Sequence, residues 1–138
     1  MDYEAKTFRS WKNMLRRCYD PVHSVKSYSD VTVCEEWLNF TNFYYWHLEN
    51  DYALDGEDLQ LDKDILIPGN RVYSPEACLL VPASVNLLFR RNNAKLTPAA
   101  IRRYIDMYRG FVPEKVIAAM SSWVERLEAE KSKVAAAE

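Results

Sequence analysis

The stretch that most constrains this chain is Leu61 to Pro82, LDKDILIPGNRVYSPEACLLVP. Short apolar runs are cut by Pro68-Gly69-Asn70 and again by Ser74-Pro75-Glu76-Ala77. Proline fixes φ and lacks a donor, glycine supplies positive φ, and asparagine closes local turns. No helix survives that punctuation, so the segment reads as short strands joined by turns. Strands are predicted within LQLDKDIL, RVYS and CLLVP, followed by a short helix in ASVNLLFRR.

The rest of the chain carries helical periodicity. Phe8, Trp11, Met14, Leu15 and Cys18 recur at spacings of three and four, which predicts an amphipathic helix over residues 4–19, stopped by Asp20-Pro21. VTVC, residues 31–34, is a short strand candidate. Residues 35–48 read as one helix, with Glu35 and Glu36 in the first turn and a stripe of Trp37, Phe40, Tyr44 and Leu48 widened by Phe43 and Trp46. Thr97 and Pro98 start a helix that stops at Gly110, by the N-cap preference of threonine and the first-turn preference of proline. After Pro113, residues Val116, Ile117, Met120, Trp123, Val124 and Leu127 form an apolar face, and the tail from Glu128 loses it and is expected to fray.

These elements imply an α+β fold: a small ββα unit among four or five helices. Residues 1–96 form the main unit, and residues 97–138 form a helical hairpin packed on the same body. A chain of 138 residues suits one domain. Cys18, Cys34 and Cys78 form no CxxC pair, so free buried thiols are expected rather than a zinc ribbon or a disulfide framework. No apolar run approaches the roughly 20 residues of a membrane span, and the charged N-terminus lacks a signal-type apolar core. A cytoplasmic setting without membrane contact is therefore expected. No glycine-rich phosphate loop occurs.

Charge is segregated along the chain. Residues 5–17 carry Lys6, Arg9, Lys12, Arg16 and Arg17 and no acid. Residues 35–64 carry nine acids against Lys63 as the only lysine or arginine. Residues 90–109 carry Arg90, Arg91, Lys95, Arg102, Arg103 and Arg109 against Asp106. Basic segments of this kind either solvate helix faces or release counterions on binding phosphates. The second use makes Arg9, Lys12, Arg16, Arg17, Arg90, Arg91, Lys95, Arg102 and Arg103 candidates for contact with DNA or another nucleic acid.

Several ordered landmarks together resemble the phage-type HNH (His-Me finger) endonucleases. They are WKNMLRRCYD, Tyr28 and VTVCEEWLNFTNFYYW upstream, then LDKDILIPGNRVYSPEACLLVPASVNLLF as the finger. The resemblance implies a strand ending in Asp-His, a Pro-Glu-Asn turn, a second strand and a helix bearing a further His or Asn. In that family the histidine is the general base toward water, and the other groups hold one divalent metal at the scissile phosphate. Carried over, Asp62 matches the acid, Lys63 stands at the histidine, Pro75 and Glu76 match the turn, Ala77 stands at the asparagine, and Asn86 matches the helix residue. A lysine ammonium donates a proton where the role needs an acceptor, and alanine can ligate nothing.

The candidate catalytic set is thus Asp62, Lys63, Asp64, Glu76 and Asn86, in a form departing from the family. In an extended strand Asp62 and Asp64 would share one face, with Lys63 on the other, and with Glu76 they could hold Mg²⁺ or another divalent ion. The alternative is that Asp62 braces the turn, Asp64 is solvated and Glu76 bonds turn amides. Three functions follow: a nucleic-acid-binding protein with weak or lost catalysis, an interaction protein that inhibits a host defence or nucleic-acid enzyme, or a metal-dependent DNA endonuclease with a rewired carboxylate site. The phage-type resemblance places each in a host cytoplasm.

Overall fold

The computed structural model describes residues 2–20, 22, 30–90 and 93–137. His23, Tyr28 and Arg91 lie outside the described residues. The elements run α1 (Tyr3–Tyr19), β1 (Thr32–Val33), α2 (Phe40–Asn50), β2 (Leu59–Asp62), β3 (Val72–Tyr73), β4 (Leu79–Pro82), α3 (Ala83–Leu88), α4 (Pro98–Tyr108) and α5 (Glu114–Ala137). The fold is α+β. Among the described residues the strands form two two-stranded sheets, β1 parallel to β3 and β2 antiparallel to β4.

Strand β4 is the wall on which the molecule is assembled. All four of its residues are buried, and their side chains alternate between two cores. Leu79 and Val81 join Ile65, Val85, Ile101, Ile105, Val116, Ile117 and Met120 in a core built with α3, α4 and α5. Leu80, with Cys78, joins Met14, Val33, Trp37, Phe43, Leu61 and Tyr73 in a core built with α1, β1 and α2. Each fully buried Leu, Ile or Val on this wall contributes about 2 kcal/mol by leaving water.

Local chemistry explains the element ends. Asp2 caps α1 by accepting from the Ala5 amide at 2.7 Å. Thr97 caps α4 through its hydroxyl on the Ala100 amide at 3.1 Å, and Pro98 opens the first turn, as the sequence predicts. Gly110 takes φ +87 directly after α4 and its C-cap Arg109, a conformation other residues resist.

Two expectations are corrected. Residues 35–48 are not one helix: Glu35–Leu38 is a 3-10 turn, and Asn39, extended at ψ 118°, caps α2 by accepting from the Thr41 amide. The break shifts the helical phase, so Phe43 is buried while Leu48, placed on the sequence stripe, is 51% exposed. The tail beyond Glu128 stays helical to Ala137 although its side chains are exposed, because its Ala, Glu and Lys residues favour helix without packing.

Most of the aromatic content lies between α1 and α2. Phe8 meets Phe40 edge-on at 5.1 Å, Trp37 meets Phe43 at 5.0 Å and Trp46 at 4.9 Å, and Trp11 donates its indole N–H to the Trp37 carbonyl at 2.7 Å. Such pairs add about 1 kcal/mol each beyond burial. Cys18, Cys34 and Cys78 are free. Burial raises all three thiols above the ordinary value, Cys78 to about 12.

Candidate functional site

Strand β2 ends at Asp62, the chain bends through residues 63–69, and β4 returns antiparallel with Asp62 opposite Leu79. Helix α3 follows β4 without a gap. Leu61 faces the core of α1 and α2, so strand alternation turns Gln60 and Asp62 toward α3. Asn86 of α3 donates to the Gln60 side chain at 2.7 Å, which ties the helix to the strand on that face.

Asp62 is 7% exposed. Its Oδ2 accepts the Asp64 amide at 3.0 Å and the Ile65 amide at 2.7 Å, so the carboxylate braces the bend. Burial pushes its carboxyl up to about 6 against the lowering effect of those amides, with the nearby Asp64 charge adding to the rise.

Lys63 is buried at 6% exposure. Its Nζ donates to both Asp64 carboxylate oxygens and to the Asn70 carbonyl, each at 3.0 Å. Asn70 returns the contact: its Nδ2 donates to the Lys63 carbonyl at 3.0 Å and to the Val72 carbonyl at 2.6 Å, and its Oδ1 accepts the Val72 amide. Lys63 and Asn70 therefore clamp the two ends of the bend across Pro68-Gly69, where Gly69 takes φ +74. The clamp delivers Val72 and Tyr73 to β1, and the Cys34 amide donates to the Tyr73 carbonyl at 2.9 Å.

The sequence expectation that Lys63 and Asp64 point to opposite faces is thus corrected. The strand ends one residue too early, and the bend brings the ammonium and carboxylate together. Asp64 is paired rather than simply solvated. Glu76 is exposed on a turn whose hydrogen bonds are made by backbone, from the Ala77 and Cys78 amides to the Ser74 carbonyl. Ala77 is 4% exposed. Among the described residues, no group of three or more His, Cys, Asp or Glu is gathered so that it could hold a metal ion.

No family model, curated protein or solved structure matches the chain.

The basic candidates separate by their surroundings. Arg9, Lys12, Arg16 and Arg17 are all exposed on α1, and Arg9, Lys12 and Arg16 follow one another at spacings of three and four along one face. Among the described residues no ion pair engages any of the four. Arg102 is held by Glu128 of α5. Arg103 is exposed on α4, and Arg90 and Lys95 are exposed on the connection between α3 and α4. Because α1 belongs to the core on one side of β4 and α4 to the core on the other, the two basic segments occupy opposite sides of the wall.

Sequence reasoning missed three polar residues that organise the region. Asn70 and Asn93 both follow turn chemistry, in PGN and NNAK, which is the usable signal for each. Glu57 accepts the Ser84 amide at 2.7 Å at the start of α3 and also the Tyr108 hydroxyl of α4. Burial raises the Glu57 carboxyl, but the Ser84 and Tyr108 hydrogen bonds outweigh it and hold it below the ordinary value. Contacts this distant leave no local pattern in sequence.

Proposed function

We propose that this chain is a phage-type HNH-like protein that binds nucleic acid through the exposed basic face of α1, with cleavage weak or lost. The observation that carries the binding part is the run of Arg9, Lys12, Arg16 and Arg17, exposed and engaged by no ion pair among the described residues. An unpaired cation row costs nothing to redirect to phosphates, whereas a paired one must first break its contact.

The antiparallel pairing of β2 with β4 and the direct passage from β4 into α3 support the finger resemblance, although β3 lies between the two strands and pairs with β1. The loss of cleavage is supported by what the corresponding groups do. The residue at the general-base position spends its ammonium on the bend, and the acid before it spends an oxygen on two amides. The Asn86 amide likewise ties α3 to β2.

Binding of a fluorescent duplex tests this. The triple variant Arg9→Gln/Lys12→Gln/Arg16→Gln is expected to lose about tenfold or more in affinity at low salt. Arg102→Gln, whose side chain is already occupied by Glu128, is expected to stay within about twofold. Equal effects of the two variants would contradict a binding face on α1.

A further inference from the structure

The connection from α3 to α4 opens a cleft of about 440 Å³ lined by Ser84, Leu87, Arg90, Asn93, Lys95 and Tyr104, among others. A volume of that order suits a small ligand. Its lining combines two cations, Arg90 and Lys95, with apolar and aromatic side chains, Leu87 and Tyr104. Arg90 and Lys95 are exposed, and among the described residues no ion pair engages either. Leu87 is 56% exposed, so its side chain is accessible within the cleft.

The backbone beside each cation is bonded to Asn93. Asn93 donates through Nδ2 to the Leu87 carbonyl at 3.2 Å and the Leu88 carbonyl at 3.1 Å, and its Oδ1 accepts the Lys95 amide at 2.9 Å. The Asn93 amide donates to the Arg90 carbonyl at 3.1 Å. The Asn93 side chain therefore ties the Lys95 backbone to the end of α3. It also covers the last carbonyls of α3, which would otherwise repel an anion at that end of the helix. Tyr104 is half-buried and lies nearly parallel to Tyr108, at 6.3 Å and 14°, so its ring orientation is set before any ligand arrives.

We propose that this cleft binds a nucleoside phosphate, with Arg90 and Lys95 on the phosphate and Leu87 and Tyr104 against the base. Cations for the phosphate beside an apolar, aromatic surface for the base are what single nucleotides require, because every base has a face to stack while only the phosphate carries charge. The ligand is either a free mononucleotide or the phosphorylated end of a strand, since both present the same group. This deepens the nucleic-acid reading and rests on it, but it uses the side of β4 opposite α1.

The test is an amide-resolved NMR titration of the full chain with adenosine 5′-monophosphate, a 5′-phosphorylated single-stranded oligonucleotide, its 5′-hydroxyl counterpart and inorganic phosphate. Shifts are expected at Ser84, Leu87, Asn93, Lys95 and Tyr104. Arg90→Gln and Lys95→Gln are each expected to weaken nucleotide binding about tenfold, by loss of a charge-assisted hydrogen bond. Tyr104→Leu is expected to weaken the nucleotide and leave inorganic phosphate unchanged. A preference for the mononucleotide identifies a free ligand, and a preference for the 5′-phosphorylated strand over the 5′-hydroxyl one identifies a strand end.

Equal binding of inorganic phosphate and nucleotide, or no shifts at these residues, would overturn the assignment. The duplex measurement separates the two ideas. Normal duplex binding with a silent cleft removes the cleft alone, and nucleotide binding without any duplex affinity removes the α1 reading alone.

Discussion

Asp62 and Lys63 are adjacent charged residues that the fold buries for opposite purposes. Asp62 gives one oxygen to two amides in the bend, and desolvation nevertheless lifts its carboxyl to about 6. An acid whose folded pKa lies above its unfolded value supports the fold while protonated. That support is full below the unfolded value of 3.8 and is lost as pH rises through about 6. Relative to Asp62→Asn, the native protein should therefore lose on the order of 2–3 kcal/mol between pH 3.5 and 7, read from urea midpoints. A pH-independent difference would contradict this. Lys63→Met keeps the buried stem but leaves the Asn70 carbonyl and Asp64 without the ammonium. It should lower stability by about 2 kcal/mol in the same assay, with the half-exposed Asp64 recovering part of its loss from water. A lysine kept for chemistry rather than for the bend would show no such cost.

Among the elements, those whose cause is local were legible in sequence. Thr97-Pro98 and Gly110 bound α4 because capping acts over three or four residues. The brace by Asp62 belongs to the same class, since its partners lie two and three residues on. What escaped was set by contacts across distance or by one intervening residue. Asn39 breaks the expected helix by capping a new one, and the apolar stripe moves with the phase. Lys63 meets Asn70 only after the chain has turned. The end of α5 makes the contrast from the other side: it forms without burial. Removing residues 131–137, all exposed, should therefore change unfolding free energy by less than about 0.5 kcal/mol. A larger loss would mean that the tail packs on something.

At the scale of the whole molecule, β4 divides the protein into two cores. One side carries α1 with its exposed cations, and the other carries α4, α5 and the Arg90–Lys95 cleft. The net charge of −2 conceals this, because the acidic residues concentrate between the two basic segments. Among the described residues no helix is long and apolar enough to cross a membrane. Strand β2, strand β4 and α3 pack as one unit, while Asp62, Lys63 and Asn86 are absorbed into the bend and the helix contact. The proposed binding therefore rests on the exposed cations. The most direct measurement is the affinity for a short DNA duplex across a salt series. Engagement of the four α1 cations predicts log affinity falling linearly with log salt, with a slope of about −3 to −4. A slope near zero, or no measurable duplex binding at low salt, would contradict it.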